Sequence, residues 1–164
     1  RSRFKAYAKR CSADYIELTD DQFPEWPMGN KYRIRTLASH YELTLYLDSD
    51  VFIQDGMPNV FNYGDTALFN ELPFIGPSNM AEYMQNVCTV ARSYGMKTPM
   101  WVPNGGVMLM AKRDWQYYQP QEDFQRQWCY DQNALACSMP HQPQDLDERF
   151  NWLFIRFDFW QKLK

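Results

Sequence analysis

The sequence predicts a single α/β domain over residues 1–164, with a mainly parallel central sheet that helices cover on both faces. A length of 164 residues suits one hydrophobic core. Apolar residues make up 45% and charged residues 23%, which is the balance of a globular protein. Short apolar runs alternate along the chain with segments of helical periodicity. This alternation is typical of parallel strands joined by helices.

The strand predictions rest on short runs of apolar or alternating side chains. Residues 14–18 alternate between polar and apolar, whereas 44–47 and 105–111 are apolar runs with the length of buried strands. The chain is expected to stay extended over 51–53. Residues 150–159 are expected to form a strand followed by a helix.

Helices are predicted where apolar residues recur at spacings of three and four. Residues 31–41 carry one such stripe, which runs from Ile34 to Tyr41. Prolines predict loops at 19–29 and 140–143. The remaining predicted helical segments are 4–10, 79–94, 114–118 and 123–136.

Composition excludes several classes of protein. Lys and Arg total 17 against 20 for Asp and Glu, so a net charge of -3 opposes binding to nucleic acid. No run of 18 apolar residues is present, so no transmembrane segment is predicted. The cysteines form no C-x-x-C pair, which predicts reduced thiols in a cytoplasmic protein rather than a zinc site. They are Cys11, Cys88, Cys129 and Cys137.

Two carboxylates follow the predicted strand at 44–47. Asp48-Ser49-Asp50 places both acids at the carboxyl end of that strand, where α/β sheets bind ligands. Carboxylate oxygens suit Mg²⁺ or Mn²⁺, and such a cation can clamp a diphosphate. The alternative is that the aspartates only cap a turn. A calcium loop is a poor fit because residues 51–53 are apolar where ligands should recur.

Two further polar motifs are weak when taken singly. Asn104-Gly105-Gly106 enters the predicted strand at 105–111, and its glycines allow positive φ and the close approach of a ligand. The Asn104 amide can donate to and accept from a sugar hydroxyl. Asp131-Gln132 lies in a predicted helix. The alternatives are a plain turn and a solvent-facing start of a helix.

Taken in order, these segments resemble the nucleotide-sugar glycosyltransferases of the GT-A type. They are similar to the retaining enzymes of family 8, which include glycogenin and bacterial galactosyltransferases. The likeness covers residues 4–152 and implies a Rossmann-like GT-A fold. The segments that carry it are 31–35, 45–51, 104–109, 131–135 and 149–152.

The resemblance implies a role for each carboxylate of the D-x-D motif and for the helix before it. Asp48 would contact the donor ribose or the cation, and Asp50 would ligate the cation, which is Mn²⁺ or Mg²⁺. Lys31 and Arg35 would reach the donor from the preceding helix. Ser49 would complete this part of the donor site.

The resemblance also implies how the sugar is held. Asn104, Gly105 and Gly106 would line the donor sugar. Asp131 and Gln132 would be catalytic and lie beneath the anomeric carbon, with Asp131 the more essential. A carboxylate there can act through its charge on an oxocarbenium-like centre.

Two departures from the family pattern accompany the resemblance. The strand that holds the nucleobase is missing, so we expect it to precede Arg1 in the natural chain. The histidine that supplies a cation ligand is also missing, because His40 and His141 do not match its position. We therefore expect the third ligand beyond Lys164 or replaced by water.

The predicted function is a metal-dependent transfer of a hexose from a nucleotide-sugar to a glycan or other hydroxyl acceptor. UDP is the expected nucleotide, and retention is favoured over inversion. Residues 69–78 are expected to contact the acceptor, and Trp101 is the best candidate for stacking on a sugar. One alternative is a nucleotidyltransferase, although no glycine-rich phosphate loop is present. Another is a non-catalytic carbohydrate-binding module, which would not explain the carboxylates. The sequence leaves the sugar, the acceptor and the oligomeric state open.

Overall fold

The structure is a computed structural model that describes residues 1–19, 27–74, 77–93, 95–119 and 130–150. Within this part of the chain, four α-helices and four strands form an α/β fold. The helices are α1 (Ser2–Arg10), α2 (Ile34–Ala38), α3 (Pro77–Ser93) and α4 (Tyr130–Ser138). The strands are β1 (Leu43–Leu47), β2 (Ala67–Asn70), β3 (Pro103–Ala111) and β4 (Gln144–Asp145).

The sheet is mixed rather than mainly parallel, so the prediction of strand direction was wrong. Its strand order is β1-β3-β2-β4. The central strand β3 pairs antiparallel with both β1 and β2, and only β2 and β4 pair in parallel. The apolar run of β3 is what burial on both faces produces, and it carries no information on direction. The GT-A assignment therefore stays a prediction for this small sheet.

One strand prediction fails in the described part of the chain. Residues 14–18 form no strand, and Ile16 is half-exposed although Leu18 packs against the core. Residues 51–53, which were expected to be extended, form no helix or strand and lie outside the sheet. Conversely, β2 and β4 were not predicted because β2 has only four residues and β4 only two. Of the prediction at 150–159, only Phe150 is described, and it ends a 3₁₀ helix at Glu148–Phe150; the rest lies outside the described residues.

The helix predictions succeed where an apolar stripe is long. Helix α3 matches the predicted segment at 79–94 to within two residues at its start. The segment at 31–41 is shorter than predicted, since a 3₁₀ helix at Pro27–Arg33 leads into the five residues of α2. The segment at 114–118 is only a 3₁₀ turn. Of the segment at 123–136, residues 123–129 lie outside the described residues, and the rest lies in α4.

The core lies on the two faces of β3. Successive side chains of a strand point to opposite faces. Met108 and Met110 accordingly pack with Val87 of α3 and Leu135 of α4. Val107 and Leu109 belong to a second cluster, which includes Tyr7 of α1. Among the described residues, no helix combines the length and the apolar character needed to cross a membrane.

We expect Met108→Ala to lower the free energy of unfolding by about 2–5 kcal/mol, because its side chain is fully buried in the central strand. Met100 is 83% exposed, so Met100→Ala should change stability by less than about 0.5 kcal/mol. Urea unfolding of both variants measures the difference. Equal losses would contradict the assignment of β3 to the centre of the core.

Candidate active site

The predicted motifs meet at one edge of the sheet, where β1 and β2 end and β3 begins. The Asp48 amide donates to the Gly106 carbonyl at 2.9 Å, directly after β1. On the other side of β3, the Glu71 amide donates to the Val102 carbonyl at 2.9 Å, directly after β2. Because both pairings are antiparallel, the ends of two strands flank the start of the third.

Lys31 lies at the centre of this edge. Its side chain comes from the 3₁₀ helix before α2 and is only 11% exposed. The ammonium donates to Asp48 Oδ2 at 3.1 Å and to the Gly105 carbonyl at 3.3 Å. It also lies 3.6 Å from Asp131 Oδ2. One cation therefore lies beside two carboxylates and reduces the repulsion between them.

Two tyrosine hydroxyls hold the same carboxylates. Tyr46 donates to Asp48 Oδ1, and Tyr118 donates to Asp131 Oδ2 at 3.0 Å. Burial, and then the neighbouring carboxylates, raise the pKa of Tyr46 and of Tyr118 well above the usual range. Both hydroxyls therefore remain protonated donors at neutral pH. The Lys31 ammonium also lies 5.6 Å from the centre of the Tyr46 ring.

The first turn of α4 packs directly under the glycines of β3. Asp131 and Gln132 are both buried there. The Gly105 amide donates to Gln132 Oε1 at 3.1 Å. A Cβ atom on Gly105 would lie 3.2 Å from Asp131 Oδ2 and 3.3 Å from Gln132 Oε1. The space at this position therefore suits glycine.

Close approach, rather than positive φ, explains both glycines of the motif. The prediction that they allow positive φ was wrong, because neither is among the glycines of the chain that adopt it. A Cβ on Gly106 would lie 3.1 Å from Asn104 Oδ1 and 3.3 Å from Asp48 Oδ2. Asp131 and Gln132 therefore crowd Gly105, and Asn104 and Asp48 crowd Gly106. All four were predicted as site residues.

Sequence reasoning missed a buried carboxylate beside the motifs. Glu71 accepts hydrogen bonds from Asn104 Nδ2 at 2.9 Å, Tyr83 Oη at 2.8 Å and Gln132 Nε2 at 2.6 Å. Burial raises the pKa of Glu71, and the three hydrogen bonds oppose that rise. The sequence does contain a signal for Glu71, because this acid directly follows the short apolar run of β2 just as Asp48 directly follows β1.

Some predicted residues stand apart from this cluster. Arg35 is exposed on α2, and Ser49 and Asp50 are exposed in the turn after β1. Asp50 is near enough for its charge to contribute to the raised pKa of Tyr46. Trp101, predicted to stack on a sugar, is instead buried in the same core cluster as Met108.

The residues that could hold a divalent cation are Asp48 and Asp50. Across the described ranges, no group of three or more His, Cys, Asp or Glu residues could hold a metal ion. His40 and His141 are both exposed. Mg²⁺ is commonly bound through one or two carboxylates together with waters and substrate phosphates. Both oxygens of Asp48 already accept hydrogen bonds from Lys31 and Tyr46, whereas Asp50 is exposed, so Asp50 is the carboxylate open to a cation and a bound diphosphate would have to supply further ligands.

We expect Lys31→Met to destabilise the fold by about 3 kcal/mol, because it leaves the buried Asp131 without its cation. Adding Asp131→Asn to that variant should recover most of the loss, since it removes the unpaired charge. Lys112 pairs with Glu42 at 3.7 Å on the surface, so Lys112→Met should cost less than about 1 kcal/mol. Urea unfolding measures all three. Equal stability of the Lys31 and Lys112 variants would contradict a central role for Lys31.

Comparison of the chain with protein-family models, with curated proteins and with solved structures gives no match. The chemistry of the cluster is therefore inferred from its own side chains. The site combines three buried or half-buried carboxylates, which are Asp48, Glu71 and Asp131, with one ammonium that is 11% exposed and two protonated tyrosines, beside the exposed Asp50.

Proposed function

We propose that the chain is a metal-dependent glycosyltransferase of the GT-A type that takes a hexose from a UDP-sugar to a hydroxyl acceptor with retention. The observation that carries this proposal is the meeting of three motifs around Lys31. Asp48, Gly105 and Asp131 are separated by tens of residues in the sequence, yet all three lie within 3.6 Å of its ammonium.

The carboxylate end of the cluster supports binding of a diphosphate. Asp48 and Asp50 would hold Mn²⁺ or Mg²⁺. When bound, that cation would offset the negative charge of the diphosphate as it leaves. The Lys31 ammonium, which pairs with Asp48 at 3.1 Å, adds one positive charge at this end of the cluster.

The opposite end of the cluster supports chemistry at the sugar. Tyr118 and Lys31 hold the Asp131 carboxylate on the same oxygen, which fixes its position beneath the glycines of β3. A fixed, buried negative charge can stabilise the oxocarbenium-like centre that forms as the bond to the diphosphate breaks. Asn104 stands at the start of β3, where it would line the sugar.

A non-catalytic carbohydrate-binding module would stack sugars on exposed aromatic side chains. The two tryptophans in the described part of the chain, Trp101 and Trp115, are both buried in the core, whereas Phe52 is exposed.

A cytoplasmic location fits the free thiols of Cys11, Cys88 and Cys137.

We expect Asp50→Asn to reduce Mn²⁺-dependent hydrolysis of UDP-hexoses by at least about 100-fold, because it removes a carboxylate that holds the cation. The fold should be unaffected, since Asp50 is exposed. Asp55→Asn, also at an exposed position a few residues away, is the matched control and should retain wild-type hydrolysis. Release of UDP from a panel of UDP-hexoses measures the rates without an acceptor.

Two outcomes would overturn parts of this proposal. An Asp50→Asn variant with the wild-type rate and metal requirement would remove Asp50 from the cation site. A wild-type chain that cleaves nucleoside triphosphates but no UDP-sugar would instead indicate a nucleotidyltransferase.

A further inference from the structure

A single buried carboxylate fixes two amide side chains of the candidate site. Glu71 is 9% exposed and directly follows β2, where its backbone amide bonds to the Val102 carbonyl just before β3. Its Oε1 accepts from Gln132 Nε2 and from the Tyr83 hydroxyl, and its Oε2 accepts from Asn104 Nδ2. Both amides turn their NH₂ groups toward Glu71, and both Glu71 oxygens act as acceptors.

The orientation of each amide decides what its carbonyl oxygen can reach. With both NH₂ groups on Glu71, Gln132 Oε1 accepts from the Gly105 amide at 3.1 Å. Asn104 Oδ1 accepts from the Gly106 amide at 3.0 Å. The backbone N–H groups of Gly105 and Gly106 therefore keep their acceptors only while Glu71 holds the two amides in place, although neither N–H group bonds to Glu71 itself.

The backbone carries this constraint to the charged cluster. The carbonyl of Gly105 accepts from the Lys31 ammonium, which also holds Asp48 and lies beside Asp131. A shift at Gly105 would therefore move the centre of the charged cluster. The Gln132 amide has both its nitrogen donors and its oxygen engaged by protein groups.

From this arrangement we infer that Glu71 is a positioning residue, which orients the amides of Asn104 and Gln132 and thereby fixes Gly105 and Gly106 against the charged cluster. In this role Gln132 also acts through the backbone rather than on the substrate. The effect on catalysis rests on the proposed glycosyltransferase activity, whereas the effect on the backbone does not.

Replacing Glu71 with glutamine tests the inference with almost no change in shape. The introduced amide would present one oxygen and one NH₂ group to three donors, so one of the two neighbouring amides must turn over. The glycine N–H that it served would then lose its acceptor. We expect amide hydrogen exchange at Gly105 or Gly106 to become about tenfold faster in Glu71→Gln. Exchange at Leu109, further along the same strand, should not change.

A double variant separates orientation from mere loss of charge. In Glu71→Gln with Gln132→Glu, the carboxylate moves to position 132, where it accepts from the Gly105 amide, from Tyr83 and from the new amide at position 71. The oxygen of that new amide then accepts from Asn104. Every hydrogen bond of the network has a donor and an acceptor again, so exchange at both glycines should return to within about threefold of the wild-type rate. Glu82→Gln, the same substitution at an exposed position of α3, is the matched control.

Kinetics supply the second readout. Glu71→Gln should lower kcat for UDP-hexose hydrolysis about 10- to 100-fold and leave KM within about threefold, since misplaced groups slow the chemical step. The Glu82 variant should change neither value. Unchanged exchange at both glycines in Glu71→Gln, or no recovery of exchange in the double variant, would overturn the inference. If the wild-type chain hydrolyses no UDP-sugar, the proposed function fails, while the exchange rates still decide the role of Glu71.

Discussion

The antiparallel pairing of β3 with both of its neighbours is the constraint on which the site depends. It sets the ends of β1 and β2 on either side of the start of β3. Asp48 and Glu71 each follow directly after one of those strands, so backbone hydrogen bonds place both acids beside the glycines. Parallel strands would have carried the start of β3 to the far edge of the sheet, away from Asp48.

Charge balance accounts for the rest of the arrangement. Burying carboxylates is costly unless each has a cation or several hydrogen-bond donors. Asp131 has Lys31 and Tyr118, Asp48 has Lys31 and Tyr46, and Glu71 has three uncharged donors. The cluster is therefore satisfied internally, and Asp50 is left exposed at its rim. An exposed carboxylate beside a satisfied cluster is the part of the site most accessible to a cation from solution.

Local patterns predicted α3 and β3, because side-chain periodicity reports burial. The run at 44–47 was predicted as a buried strand, but β1 lies at the end of the strand order and all five of its residues are only half-buried. Strand direction was not predictable, since a strand buried on both faces gives the same apolar run whichever way it runs. The motifs at Asp48, Asn104 and Asp131 were identified by residue type and order, but Glu71 was missed because β2 is too short to stand out. The burial of Trp101 depends on tertiary packing, which no local pattern encodes.

Calorimetric titration of the wild-type chain with UDP, with and without Mn²⁺, tests whether Asp48 and Asp50 bind a cation that in turn binds a diphosphate, as we propose. We expect UDP to bind at least about 100-fold more tightly with Mn²⁺ than without it, because the cation offsets the charge of the carboxylates and of the diphosphate. UDP affinity that is undetectable, or that does not change when Mn²⁺ is added, would contradict it.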